Sequence, residues 1–221
     1  MQKERGSRKF RIAMRTAKVL IALCLVVSAF LVLVYSGTIC VTSASRPKDM
    51  YDGEVSVSGA ENPVLAGALS YVETHPKYKS KYYEGGYPDD GYGVCTDVVA
   101  FAMKSAGMDL MQLVADDVAA NPDEYDIETP DANIDFRRVR NLKVWFANNA
   151  ESLTTDPADI AEWQGGDIVI FEGHIGVVSD RRNERGVTYV IHHNDPFQRR
   201  YEQDILEKRN DIVGHYRLDV K

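Results

Sequence analysis

The chain has 221 residues, room for one ordinary domain with appendages but not for two large ones. A hydrophobic fraction of 44% and twelve tyrosines exclude intrinsic disorder for its bulk. The formal net charge of -7 is unevenly split, with seven bases and one acid in residues 1–45 against 19 bases and 32 acids in the rest, and so acidic a remainder excludes nucleic acid as a partner.

Residues 1–18 are a basic segment. Val19 to Val34 reads VLIALCLVVSAFLVLV, inside 27 uncharged residues that end before Arg46. A helix needs about 20 apolar residues to cross the hydrocarbon of a bilayer. The pattern predicts a single-pass transmembrane signal anchor over residues 19–39. The preceding bases put the N-terminus in the cytoplasm and the C-terminal domain outside the cell membrane. A cleaved signal peptide is the alternative. Its cleavage candidate, Thr42-Ser43-Ala44, is weak, and Ile39 before Cys40 argues against a lipoprotein box. Residues 40–61 are small, polar and aperiodic, and are expected to form a tether.

The folded domain is expected over 62–221, starting at the cap-proline pair Asn62-Pro63. Helices are predicted from Pro63 to Thr74, from Cys95 to Ala106, after Asp109 through about Ala120, and from Arg137 to Asn149. The second is apolar on most sides and should be buried. Loops rich in Tyr, Gly and Asp fill the stretch up to Gly93, and residues 121–136 form another loop. After Gly165-Gly166 the period changes to that of strands: Asp167 to Phe171, His174 to Ser179, Gly186 to His192, and a last run ending VGHYR at 213–217. Helices followed by a small antiparallel sheet make an α+β fold.

Three places in this domain carry chemistry. Cys95 is its only cysteine, so no internal disulfide can form there, and it opens a buried helix after Gly91-Tyr92-Gly93-Val94. The helix dipole and free N–H groups at that position favour the thiolate; a small apolar core residue is the plainer alternative. His174 follows Gly173 at a strand start, and Gly176 on the same face leaves room beside it. Finally, His192, His193 and Asn194 end the next strand, with His192 and Asn194 on one face and His193 on the other. A Cys/His/polar set allows the imidazole to take the thiol proton while the third residue fixes the tautomer. The backbone N–H of Cys95 would serve a developing oxyanion. A metal site on His174, His192, His193 and Asp195 competes poorly, because adjacent histidines on a strand diverge. Tyr78, Tyr82, Tyr83, Tyr87 and Tyr92 either line a groove or pack loops. The run Arg137-Arg138-Val139-Arg140 either receives a substrate carboxylate or pairs with Asp131 and Asp135.

The segments YEGGYPDDGYGVCTDVV (83–99), NIDFRRVRNL (133–142), GGDIVIFEGHIGVVSD (165–180) and VGHYR (213–217) resemble, in order and spacing, an uncharacterised bacterial domain family of unknown function (DUF1287-like). That family is grouped with NlpC-type and CHAP-type papain-like cell-wall peptidases. The resemblance spans about residues 62–219. It implies an NlpC-type fold, with Cys95 as nucleophile, His174 as base and His192 as the third residue. It departs from the pattern in having Val94, not an aspartate, before the cysteine, with Asp97 two residues after it. The implied activity is that of an amidase or endopeptidase on peptidoglycan stem peptides, with no cofactor and no metal. A transferase using the same thiol, or a non-catalytic wall-binding module, are the alternatives.

Overall fold

The computed structural model describes residues 62–220, so the predicted basic segment, membrane anchor and tether lie outside the described residues. Helix α1 (Pro63–Glu73) begins as the sequence dictates. The Asn62 side chain accepts from the N–H groups of Val64 and Leu65 at 2.9 and 3.2 Å, and Pro63 occupies the first turn, where its missing N–H costs nothing. Strands β1 (Lys77–Tyr78) and β2 (Tyr92–Gly93) pair in parallel within the predicted loop. Helix α2 (Cys95–Ser105) packs on α1 and on the sheet, and α3 (Leu110–Ala120) is capped by Asp109. The predicted loop at 121–136 contains a 3-10 turn (Pro122–Glu124) and a short helix α4 (Ala132–Asp135). Helix α5 (Val139–Asn149) buries Leu142, Trp145 and Phe146 on one side. Among the described residues no single helix is long and apolar enough to cross a membrane.

The second half is a six-stranded antiparallel sheet in the order β3-β8-β4-β5-β6-β7. Its strands are β3 (Glu151–Ser152), β4 (Ile168–Phe171), β5 (His174–Arg182), β6 (Thr188–Ile191), β7 (Glu202–Gln203) and β8 (Ile212–Arg217). The expected α+β layout is what is found. Both sheet faces are covered, which is why β4 reads as a continuous apolar run. Ile168, Ile170, Ile175, Val177 and Ile191 join the helices in one core; Val169, Phe171, Val178, Val190 and Leu206 form a second with Trp163. Pairing of Phe171 with His174 leaves a two-residue turn, Glu172-Gly173, and Gly173 supplies the positive φ of 70° that it needs. The motif residues of 165–167 and 213–217 hold the loop before β4 to β8. His215 stacks on Trp163 at 3.6 Å and bonds Thr154 and Asp167, while Arg217 binds Asp167 with two N–H groups.

Where α2 starts, the geometry depends on one buried ion pair. Val94 offers no side-chain cap, so Asp97 reaches back to the Val94 N–H at 2.8 Å. The same carboxylate takes two bonds from Arg137, at 2.7 and 2.9 Å, and both side chains are almost wholly buried. Arg137 also donates to the carbonyl of Lys81 at 2.6 Å, and its own carbonyl accepts from the Thr96 hydroxyl. Of the partners expected for the basic run, Asp135 is found beside Arg138, while Arg137 and Arg140 go elsewhere. Arg137 is taken by Asp97; Arg138 lies 3.9 Å from Asp135, and Arg140 lies 3.9 Å from Asp126. Leaving either member of a buried pair alone costs about 3–5 kcal/mol. Asp97→Ala or Arg137→Met should therefore each lower stability by about that much in urea denaturation. The apolar double replacement Asp97→Leu with Arg137→Met should cost less than either.

Candidate active site

Cys95 is the first residue of α2, half-buried and unpaired. His174 is the first residue of β5, and His192 follows the last residue of β6. Gly176 makes this approach possible. A Cβ there would stand 2.8 Å from the Ile191 carbonyl oxygen and 3.2 Å from the His192 Cβ, so only glycine lets β6 carry His192 past this point. His174 Nε2 and His192 Nδ1 lie 2.9 Å apart, and His192 Nε2 lies 3.1 Å from Gln203 Oε1. The order of protons follows from the last link. The Gln203 carbonyl oxygen can only accept, so His192 Nε2 carries a hydrogen and His192 Nδ1 a lone pair. His174 Nε2–H must then donate to it, which leaves His174 Nδ1 as the open acceptor.

The thiol sits against the N–H of Ile175, the residue next to His174, and against the N–H groups of Thr96 and Cys95 itself. Among the described residues no hydrogen bond joins it to His174. Catalytic hydrogen bonds in unliganded sites are commonly long and tighten only around substrate. The expected thiolate is corrected as well. Burial pushes the thiol up to about 11, and the N–H groups at the helix start pull it back only in part. Burial, then His192 and Arg209, push His174 down to about 3; burial pushes His192 and His193 down to about 4. The resting site at neutral pH therefore holds a neutral thiol beside neutral imidazoles.

His193 points away from His192, as strand alternation requires, and is held edge-on by Tyr78 and Tyr201, at 5.3 and 5.1 Å. Among the tyrosines of the loop, Tyr78 feels the thiol: burial first, and then Cys95, raise its hydroxyl above the usual range. Tyr83 bonds Asp90, Tyr87 bonds Asp109 and packs on Phe101 and Phe136, and Tyr82 is 55% exposed. Asn194 is exposed and outside the relay. Among the described residues no group of three or more His, Cys, Asp or Glu side chains is arranged to hold a metal ion. Sequence reasoning missed Gln203. It lies on a two-residue strand after a loop without period, and no local signal marks it.

Comparison with known proteins adds kinship. The profile of a family described as "Domain of unknown function (DUF1287)" matches residues 65–218. The uncharacterised protein YijF of Escherichia coli (strain K12) is 40% identical over 157 residues, which cover 66% of this chain and 74% of that protein. No solved structure matches.

Two expectations follow from the neutral site. Alkylation of Cys95 by iodoacetamide should accelerate about tenfold per pH unit from pH 7 to 10, since the thiolate fraction does so below the raised value. A plateau over that range would mean a preformed thiolate–imidazolium pair. Because the unfolded histidines bind protons near pH 6.5 and the folded ones only near 3 to 4, stability should be full above pH 6.5 and fall as pH drops towards 4. Urea midpoints across that range measure it, and His193→Phe should make the fall shallower.

Proposed function

The chain belongs to the DUF1287 domain family, and from that premise we propose that it is a papain-like cysteine hydrolase of the NlpC and CHAP type, an amidase or endopeptidase acting on peptidoglycan stem peptides. The proposal includes a membrane anchor at residues 19–39, with the catalytic domain extracytoplasmic and tethered through residues 40–61. The observation that carries the reading is the Gln203–His192–His174 relay, whose proton order leaves His174 Nδ1 open one residue before the Ile175 N–H that meets the thiol. The placement of a cysteine at a helix start, a histidine at a strand start and a polar residue at the end of the next strand supports it too.

In this mechanism Cys95 Sγ attacks the amide carbonyl as its proton passes to His174 Nδ1. Attack and proton transfer coincide, because the thiol is protonated at rest. The imidazolium is held by His192, whose ring is in turn held by Gln203. The Cys95 N–H supports the oxyanion. His174 then protonates the leaving amine, and water, activated by the same ring, releases the acyl group from sulfur. A second nucleophile in place of water would make the same site a transferase. One observation favours a different reading, a non-catalytic wall-binding module: the thiol is half-buried and its pKa is raised to about 11.

Incubating the full chain with purified peptidoglycan and its muropeptides, with products read by mass spectrometry, tests the proposal. Wild type should release new peptide fragments. Cys95→Ala and His174→Ala should release none, and His192→Ala should be slower by about a hundredfold. No cleavage together with a thiol that resists alkylation at every pH would leave the wall-binding module.

A further inference from the structure

Beside the relay lies a cation that the proposed chemistry does not use. Arg209 follows the 3-10 turn Leu206–Lys208, and its guanidinium lies over the Phe171 ring, 4.2 Å from the centroid. Phe171 in turn stacks on His174, with ring centroids 6.0 Å apart. One edge of the guanidinium is fixed: Nε donates to Asp211 Oδ1 at 2.7 Å and Nη2 donates to Asp211 Oδ2. Asp211 is tied to the β4–β5 turn, its carbonyl accepting from the Glu172 N–H at 3.0 Å. The Arg209 side chain is 28% exposed, so solvent and solutes can reach it.

We propose that Arg209 is a specificity-determining residue that receives a substrate carboxylate next to the scissile amide. The inference rests on the thiol-hydrolase reading and narrows its substrate class to peptides with a free carboxylate within about one residue of the bond cut. Three observations converge. The guanidinium is pre-oriented by a ring and a carboxylate, so little side-chain freedom is lost when an anion binds. The residues after position 45 carry an excess of acids, so an anionic substrate meets general repulsion and needs a local cation. Arg209 is the cation whose charge reaches both histidines of the relay, while Asp211 and Asp195 are the carboxylates that reach them.

The test uses Cys95 as its own reporter. Full-length protein is alkylated at pH 9 with iodoacetate, which carries a carboxylate, or with neutral iodoacetamide, and the modification of Cys95 is quantified by peptide mass spectrometry. The iodoacetate-to-iodoacetamide rate ratio cancels any change in thiol reactivity. It should fall about threefold to fivefold in Arg209→Gln, the effect of one partly exposed charge pair, and stay unchanged in Arg185→Gln at the far end of the β5–β6 hairpin. Rapid alkylation with a ratio that ignores Arg209→Gln, or that Arg185→Gln lowers equally, overturns the carboxylate anchor and leaves the hydrolase reading standing. If neither reagent modifies Cys95 up to pH 10, no reachable nucleophile exists, and the hydrolase reading falls together with the anchor.

Discussion

The Asp97–Arg137 pair decides where the candidate nucleophile stands. One carboxylate caps the helix that begins with Cys95, and the guanidinium it holds bridges to Lys81 in the tyrosine loop and lies under Tyr83 at 5.0 Å. Helix, loop and the entry to α5 are thus joined at a single buried point. Burying two charges is not a cheap way to gain stability, and an apolar pair of the same size would often do as well. What the ion pair adds is geometry: five directional bonds that fix the position of a helix end. An apolar contact tolerates sliding; a forked guanidinium does not.

The histidine side of the site is set by a different constraint, the close passage of β6 over Gly176. The hairpin turn at Gly173 brings His174 to the strand start, and strand alternation turns His192 towards it and His193 away. The relay then extends to β7 through Gln203. Two independent frames, one ionic and one steric, therefore meet where the Ile175 N–H touches the thiol.

Much of this was legible in the sequence. Asn62-Pro63 and Asp109 announced their helices by cap chemistry, and the Val and Ile runs at 168–171 and 174–178 announced strands by their period and β-branching. Cys95 and His174 were legible because each opens an element, whereas His192 stood beside His193 and Asn194 as one of three candidates until the packed sheet brought its ring to His174. The rest depended on tertiary structure. Two-residue strands such as β1, β3 and β7 have too few residues for a period. Arg137 finds its carboxylate forty positions away, while the nearer acids at 131 and 135 look more obvious on the page. The state of the thiol depends on tertiary structure in the same way. A helix start is visible in sequence, whereas the burial that outweighs its dipole is a property of the packed domain.

The sheet order has a consequence for the way the molecule is made. Strand β8, near the C-terminal end of the described chain, lies between β3 and β4 rather than at an edge. As the polypeptide emerges from its N-terminal end, the helices can gather early. The sheet cannot close until residues 212–217 arrive to fill its gap and Arg217 reaches Asp167. Such long-range closure slows folding relative to local pairing. The relay histidines, carried by β5 and the end of β6, thus gain their final support only after nearly the whole domain has appeared. A partly made chain carries Cys95 before the histidine pair has its final support.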